Sequence, residues 1–361
     1  MATIRDIAAK LGVSPGTVSK GLNGASDVSA ELRRQILDTA VELGYSSRRA
    51  RSKESRRLAV FVENMDYEKP DDFGYQIALG FQKAAYHGKW GAEVIPLDRT
   101  LQESERYDTY MTGAQLGGAF FLGLSLEDPW LEQFSSTIFP TVLLDNTVRH
   151  NSKVASLGTD SEEAMQIAVD HLVSLGHEKI AFLNGSAGSL ISDQRMLSYL
   201  SAMASHRLTI DPNLAIYGYF VQDTARYHVP GFLNKGVTAI LCGNDLIAAG
   251  VIETVRNLGF RVPEDISVIG YDDVPLAETT DPPLTTIRQN LPDLGSSAYS
   301  TLRSLMDGVS ISRTLLRPSL ILRSTTAPAS PRIIVSYEDD LDNVLHKNPA
   351  LYNRFLTMRG R

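Results

Sequence analysis

The 361-residue chain holds a single cysteine, Cys242, so no disulfide can form within it and a reducing compartment is expected, with Cys242 as a small packing residue. Long apolar runs are missing as well: no stretch reaches the ~20 residues that span a bilayer, and no apolar signal segment opens the chain. A soluble cytoplasmic protein without membrane contact is therefore expected. Common enzyme signatures are absent. There is no GxGxxG after a strand, no Walker phosphate loop, no HExxH and no GxSxG nucleophile elbow. The histidines at 87, 150, 171, 177, 206, 228 and 346 lack metal-ligand spacing, and the Asn-Gly-Ser-Ala-Gly stretch from Asn184 is a weak phosphate signal by itself. Neither a catalytic residue nor a metal or other cofactor is expected.

What the chain does have is an uneven charge distribution. The net charge is -7, which alone argues against nucleic acid, yet residues 1–57 hold 11 Lys and Arg against 6 Asp and Glu, leaving 24 against 36 for the remainder. A basic head on an acidic body points one end at phosphate. With 43% hydrophobic residues over this length, two or three domains with sizeable cores are expected.

The basic end opens with IRDIAAKLGVSPGTVSKGLN, from Ile4 to Asn23. Thr3 can cap a helix whose apolar face is Ile4, Ile7, Ala8 and Leu11, and Gly12 ends it in a sharp turn. Ser14 and Pro15 then supply a cap and a first-turn proline for a second helix, with Val18 and Leu22 turned inward. Its outward residues Gly16, Thr17, Ser19, Lys20 and Asn23 are short, polar and cationic, as a helix lying along base edges requires. Ser29 caps a third helix with the stripe Leu32, Ile36, Ala40 and Leu43, and Gly44 stops it. Residues 1–45 thus make a three-helix headpiece. Two amphipathic helices that merely open a globular domain are the bland alternative.

At these residues the chain resembles the lactose-repressor and galactose-repressor (LacI/GalR) family of bacterial transcription regulators. MATIRDIAAKLGVSPGTVS, VSAELRRQIL and ELGY match its headpiece in order and spacing, and LGHEKIAFLNG, VPEDISVIGYDD and DPPLTTIRQ carry the likeness to about residue 325. The resemblance implies a DNA-facing set of Ile4, Arg5, Ser14, Pro15, Gly16, Thr17, Ser19, Lys20, Asn23 and Ser29. Pro15 and Gly16 stand where the family places reading side chains, which implies fewer bases read directly. The linker 46–57, SSRRARSKESRR, carries six basic side chains in twelve residues, and Arg48, Arg49 and Arg51 are expected to grip phosphates. A solvated tether is the equal alternative there. Lys53 or Glu54 occupies the place of the family's leucine wedge, and neither can unstack a base step by apolar insertion.

From Leu58 the pattern becomes short apolar runs alternating with amphipathic helices: strands at 58–62, 93–97, 118–122, 141–144, 179–183, 238–241 and 266–270, and helices such as 161–175 and 245–258. Doubly wound parallel sheets follow. The resemblance implies a two-lobed, periplasmic-binding-protein-like α/β core over 58–326, crossing between lobes near Ser156, Ile287 and Pro318. Lobe one would then be about 58–155 and 288–318, and lobe two about 157–286 and 319–326. In such sheets a ligand lies beyond the carboxyl ends of the strands, where Asp145, Asn184, Asn244, Asp245, Asp272 and Asp273 fall. Carboxylates and amides gathered there suit vicinal hydroxyls. The resemblance adds Arg195 as an effector-binding arginine, with Tyr199 in its usual place, Phe220 as a ring stacked on the ligand, and Phe73 in the first lobe. It further implies a homodimer on a near-palindromic operator, most often a repressor, closed allosterically by a small effector, with a sugar favoured over a nucleobase, in the bacterial cytoplasm at the nucleoid. A sugar-binding module whose helical head contacts protein is the competing class. In the extension 327–361, IIVS could add a strand. The stripe Leu341, Val344, Leu345, Leu351, Phe355 and Leu356, broken by Pro349, reads as a packing or disordered extension before an oligomerisation helix.

Overall fold

A computed structural model describes residues 2–45 and 56–330. Arg48, Arg49, Arg51 and the whole of residues 46–55 lie outside the described residues, as do the IIVS segment and the apolar stripe beyond it.

The headpiece consists of α1 (Ile4–Leu11), α2 (Pro15–Leu22) and α3 (Ala30–Glu42). Thr3 caps α1 in a reciprocal box with Asp6, Gly12 ends it at φ 69°, Ser14 caps α2 through Thr17 N, and Ser29 caps α3 through Leu32 N. Ile7, Ala8, Val18, Leu22, Ile36, Leu37 and Ala40 form its buried core. Gly21 sets how closely α2 and α3 meet, because a Cβ there would lie 2.5 Å from Ile36 Cδ1.

The remaining chain forms two six-stranded sheets. The elements of the first lobe are β1 (Arg57–Val62), α4 (Phe73–His87), β2 (Gly91–Pro96), α5 (Arg99–Ser104), α6 (Tyr107–Gly113), β3 (Ala119–Leu122), α7 (Pro129–Gln133), β4 (Thr141–Leu144) and β5 (Val154–Thr159). The second lobe follows with α8 (Ser161–Ser174), β6 (Ile180–Ser186), α9 (Leu190–Ser205), β7 (Ala215–Gly218), α10 (Thr224–Asn234), β8 (Ala239–Cys242), α11 (Asp245–Asn257), β9 (Ser267–Asp272), α12 (Leu276–Thr279) and β10 (Thr285–Arg288). The chain then returns through α13 (Leu291–Met306) and β11 (Arg313–Leu316) to lobe one and ends in β12 (Ser319–Ile321) on lobe two. Sheet orders are β11-β5-β4-β3-β1-β2 and β12-β10-β9-β8-β6-β7, parallel throughout except for the antiparallel β10–β12 pair.

Period-two alternation explains the layers. On β1, Leu58, Val60 and Val62 join the α4 and α13 side, while Ala59 and Phe61 meet the aromatic cluster of Tyr107, Phe121, Trp130 and Phe134. Lobe two repeats this, with α10 and α11 on one face of its sheet and α8 and α9 on the other.

The third crossing lies at Pro318 as expected, between β11 and β12, while the first two fall slightly later than expected. All of β5 pairs with β4 and β11, so the first crossing is at Asp160 rather than Ser156, and the second follows Arg288 because β10 pairs wholly within lobe two. Five strands escape the apolar-run reading. β5 is interrupted by Ser156 and Gly158, β7, β11 and β12 are short and half-exposed edges, and β10 buries two threonines. Thr285 N donates to Thr325 Oγ1 (2.8 Å), and Thr286 Oγ1 donates to Asp245 Oδ1 (2.6 Å), so polar side chains occupy core positions with their bonds satisfied.

The first residues past 326 lie against lobe two. Ala327 N donates to Ser267 Oγ (3.1 Å), Ala329 N donates to Leu175 O (2.9 Å), and buried His177 contacts Thr238, Ser267 and the Ala327 carbonyl. At the other end, α3 rests on α6. Thr109 Oγ1 donates to Asp38 Oδ1 (2.6 Å) and Leu37 packs on Gly113.

Candidate functional site

The headpiece presents one exposed strip along α2. Ser14, Pro15, Gly16, Lys20 and Asn23 are exposed, and Thr17 and Ser19 are half-buried. Several of these side chains already hold the helix ends. Ser14 Oγ accepts from Thr17 N (3.0 Å) and pairs with Thr17 Oγ1 (2.9 Å), and Asn23 Nδ2 donates to Ser19 O (2.7 Å). Lys20 is ion-paired with Asp27. Arg5 is exposed on α1 beside half-buried Ile4, and Ser29 sits at the start of α3, its Oγ accepting from Leu32 N (3.3 Å). The strip thus contains Ser14 to Asn23, with Ile4, Arg5 and Ser29 on the neighbouring helix starts.

The second site lies between the lobes. Asp145 and Asn146 follow β4 on lobe one, and Arg195, Tyr271 and Asp272 come from α9 and β9 on lobe two. Arg195 is 3% exposed, its guanidinium lies 3.8 Å over the Tyr271 ring, and its Nη1 donates to Gly243 O (2.6 Å). Burial pushes the Asp272 carboxyl up to about 7, against the pull of Arg195 and of Gln289, whose Nε2 donates to Asp272 Oδ1 (2.7 Å). Asp145 is pushed up to about 6 by burial, with Arg195 and Arg313 pulling it down. Arg195 is therefore the counter-charge between carboxylates of opposite lobes.

Four buried polar atoms here have no partner: Arg195 Nε, Asn146 Oδ1, Ser192 Oγ and the Tyr271 hydroxyl. Buried polar atoms are nearly always bonded, so such a cluster marks a place where a ligand or water completes the set. Asn146 Nδ2 donates to Leu124 O (2.7 Å), and Asn244 caps α11 by accepting from Ile247 N (2.8 Å), so each keeps a polar end for an occupant. Phe220 lies over Gly185, where a Cβ would overlap its ring. The lobes touch at the rim, with Leu126 N donating to Gly188 O (3.4 Å) and Val274 packing among the apolar residues of lobe one beside Phe73.

The structure thus brings Asp145, Arg195 and Asp272 together, with Asn244 and Phe220 linked through Gly243 and Gly185. Phe73 sits at the rim of lobe one. Asp245 is different: it is fully buried, and its oxygens are taken by Thr286 Oγ1 (2.6 Å) and Val274 N (2.9 Å), so it braces β9 and β10 rather than offering an acceptor. Adjacent Asp273 faces away, toward Arg288 (2.5 Å) and Arg323 (2.7 Å). Asn146, Tyr271 and Gln289 were missed by sequence reasoning. Asn146 and Tyr271 are each one residue from a chosen aspartate, so the strand-end rule applied one residue to either side would have found them, whereas Gln289 follows β10, a strand whose buried threonines hid it from the apolar-run reading. Among the described residues no three His, Cys, Asp or Glu side chains gather as metal ligands, and no helix is long and apolar enough to cross a membrane.

Comparison with known proteins matches both the headpiece and the two-lobed core. Residues 3–47 match the bacterial regulatory proteins of the lacI family, and residues 169–326 match the periplasmic binding protein-like domain. The chain is 30% identical over 339 residues to the HTH-type transcriptional regulator MalR of Streptomyces coelicolor, covering 90% of this chain and 97% of that protein. It belongs to the LacI family. This LacI-family chain is a DNA-binding transcriptional regulator. Its fold matches the transcriptional regulator CelR–cellobiose complex (TM-score 0.67, 25% identity, 90% of this chain and 100% of that one). It also matches the Lac repressor dimer bound to operator and the anti-inducer ONPF (TM-score 0.65, 28% identity, 90% and 99%).

Proposed function

We propose that operator binding by this regulator is controlled by an uncharged, polyhydroxylated small molecule, a sugar, held between Asp145 and Asn146 of one lobe and Arg195, Asn244 and Asp272 of the other. The observation that carries this reading is the buried Arg195 Nε and Asn146 Oδ1, both without partners, flanked by two aspartates from opposite lobes. Carboxylates and amides accept and donate to neighbouring hydroxyls, and the half-buried Phe220 offers an apolar face to a sugar ring. The two cleft aspartates, wherever ionised, would repel a phosphorylated or carboxylate effector even with Arg195 and Arg313 acting on them, which favours a neutral one. The binding of cellobiose by the related CelR supports this class.

On the DNA side, Lys20 contacts a base edge or phosphate, while Thr17, Ser19 and the capping hydroxyls of Ser14 and Ser29 donate to the backbone. Arg5 and the linker arginines Arg48, Arg49 and Arg51 add phosphate contacts. A homodimer places two headpieces on a near-palindromic operator, since twofold symmetry in the protein is matched by twofold symmetry in the duplex. The protein acts as a repressor in the bacterial cytoplasm. Effector binding favours one lobe arrangement and shifts DNA occupancy by the difference in its affinity for the two states, typically about 1–3 kcal/mol.

The test is selection of duplexes from a random pool by the full-length protein, repeated with sugars, nucleobases and sugar phosphates. A neutral sugar that changes occupancy supports the reading; a sugar phosphate or nucleobase doing so instead refutes the effector class.

A further inference from the structure

Lys20 is the sole charged residue of α2, and its ammonium is paired with Asp27 in the loop leading to α3, both side chains being more than half exposed. Residues 2–45 carry five Lys and Arg against five Asp and Glu, so the helical headpiece has no net charge, and the surplus of the basic end lies in the linker. Of its other cations, Lys10 is paired with Glu42 (2.6 Å), and Arg33 Nη2 donates to Gly113 O (3.5 Å) on lobe one. The helix that faces DNA is thus electrostatically muted at its one cation.

We infer that Asp27 is a specificity-determining, positioning residue: by holding the Lys20 ammonium it cancels non-specific attraction to phosphate, so that Lys20 exchanges partners only where the groove offers it a better one. The inference rests on the proposed reading that the exposed face of α2 meets DNA. The physical logic is one of exchange. An exposed ion pair is worth little in water, so it yields easily to a well-placed guanine edge. It still removes one cation from the count that drives counterion release on arbitrary sequence. Specificity is the ratio of the two affinities, and lowering the non-specific one raises it.

The experiment compares the full-length protein with Asp27→Asn, Lys20→Ala and the double variant. Each is titrated against a fluorescent duplex of arbitrary sequence and against the duplex selected from a random pool, over a salt series. Asp27→Asn is expected to tighten the arbitrary duplex about eightfold per engaged headpiece at about 100 mM salt, and to steepen the salt slope by about 0.9 per headpiece. The selected duplex gains less, so the ratio falls, and the gain vanishes in the Lys20→Ala background. Asp27→Ser should behave like Asp27→Asn. Unchanged affinity and slope would overturn the inference, as would a gain that persists without Lys20, because the carboxylate would then act on DNA by itself. Failure of the underlying reading looks different: Lys20→Ala alone would leave both duplexes bound as before.

Discussion

Replacing Asp272 with Asn isolates the electrostatic cost of the interlobe cleft. Burial holds this carboxyl at about 7 in the folded protein, against an ordinary value of 3.8. A carboxyl whose folded pKa is raised keeps its proton more readily in the folded state, so folding is not penalised at acid pH, and the penalty grows as pH climbs from the unfolded value to the folded one. Each pH unit in that window is worth about 1.4 kcal/mol, which gives a penalty of about 1.5 kcal/mol near pH 5 and about 4 kcal/mol near pH 8. Asn carries no such penalty, and its carbonyl can still accept from Gln289 Nε2, as Asp272 does. The ligand-free variant should therefore gain on the wild type by about 1–3 kcal/mol between about pH 5 and pH 8, after allowance for water entering the cleft. Urea midpoints of the full-length proteins across that range measure the gap. A gap that is constant with pH, or that narrows as pH rises, would refute the reasoning. The same variant should lose response to whichever compound shifts the wild type, trading function for stability.

Arg195→Met leaves two aspartates facing each other without their counter-charge, so it should abolish the effector response while effector-free DNA affinity, read by anisotropy, stays within about twofold. Gly185→Ala forces the Phe220 ring off its seat and should weaken effector binding without changing DNA affinity, as calorimetry and anisotropy on one preparation would show. Gly21→Ala drives a methyl against Ile36 and should destabilise the headpiece by about 1–3 kcal/mol, seen as faster proteolysis within residues 2–45. Changing Arg48, Arg49 and Arg51 to Gln should lower the salt slope of DNA binding by about 0.9 for each phosphate that the linker no longer neutralises.

The headpiece was legible in the sequence because its signals are local. Thr3, Ser14 and Ser29 cap within three residues, and Gly12 and Pro15 act on their own turn. The central strands were legible for a related reason, since burial on both faces demands unbroken apolar runs such as TVLL and AILC. Edge strands and β10 were not, because their order comes from neighbours distant in the chain: Thr286 can occupy the core only because Asp245, 41 residues away, accepts its hydroxyl. That bond also separates Asp245 from its neighbours in the cleft. Sequence position places Asn244, Asp245, Asp272 and Asp273 alike at strand ends, whereas only the packed structure shows that Asp272 meets Gln289 beside Arg195 while Asp245 and Asp273 are committed to other partners. Asp27 carried no sequence signal, because it lies in the loop between α2 and α3 and acts through Lys20.

One titration bears on the whole account: full-length protein against the pool-selected duplex and a shuffled version of it, with and without the compound that occupies the cleft. We expect the selected duplex to bind about a thousandfold or more tighter than the shuffled one, and the compound to change that affinity at least about fivefold in wild type but not in Arg195→Met. Equal affinity for both duplexes, or a compound that binds the cleft and leaves the DNA affinity where it was, would contradict it.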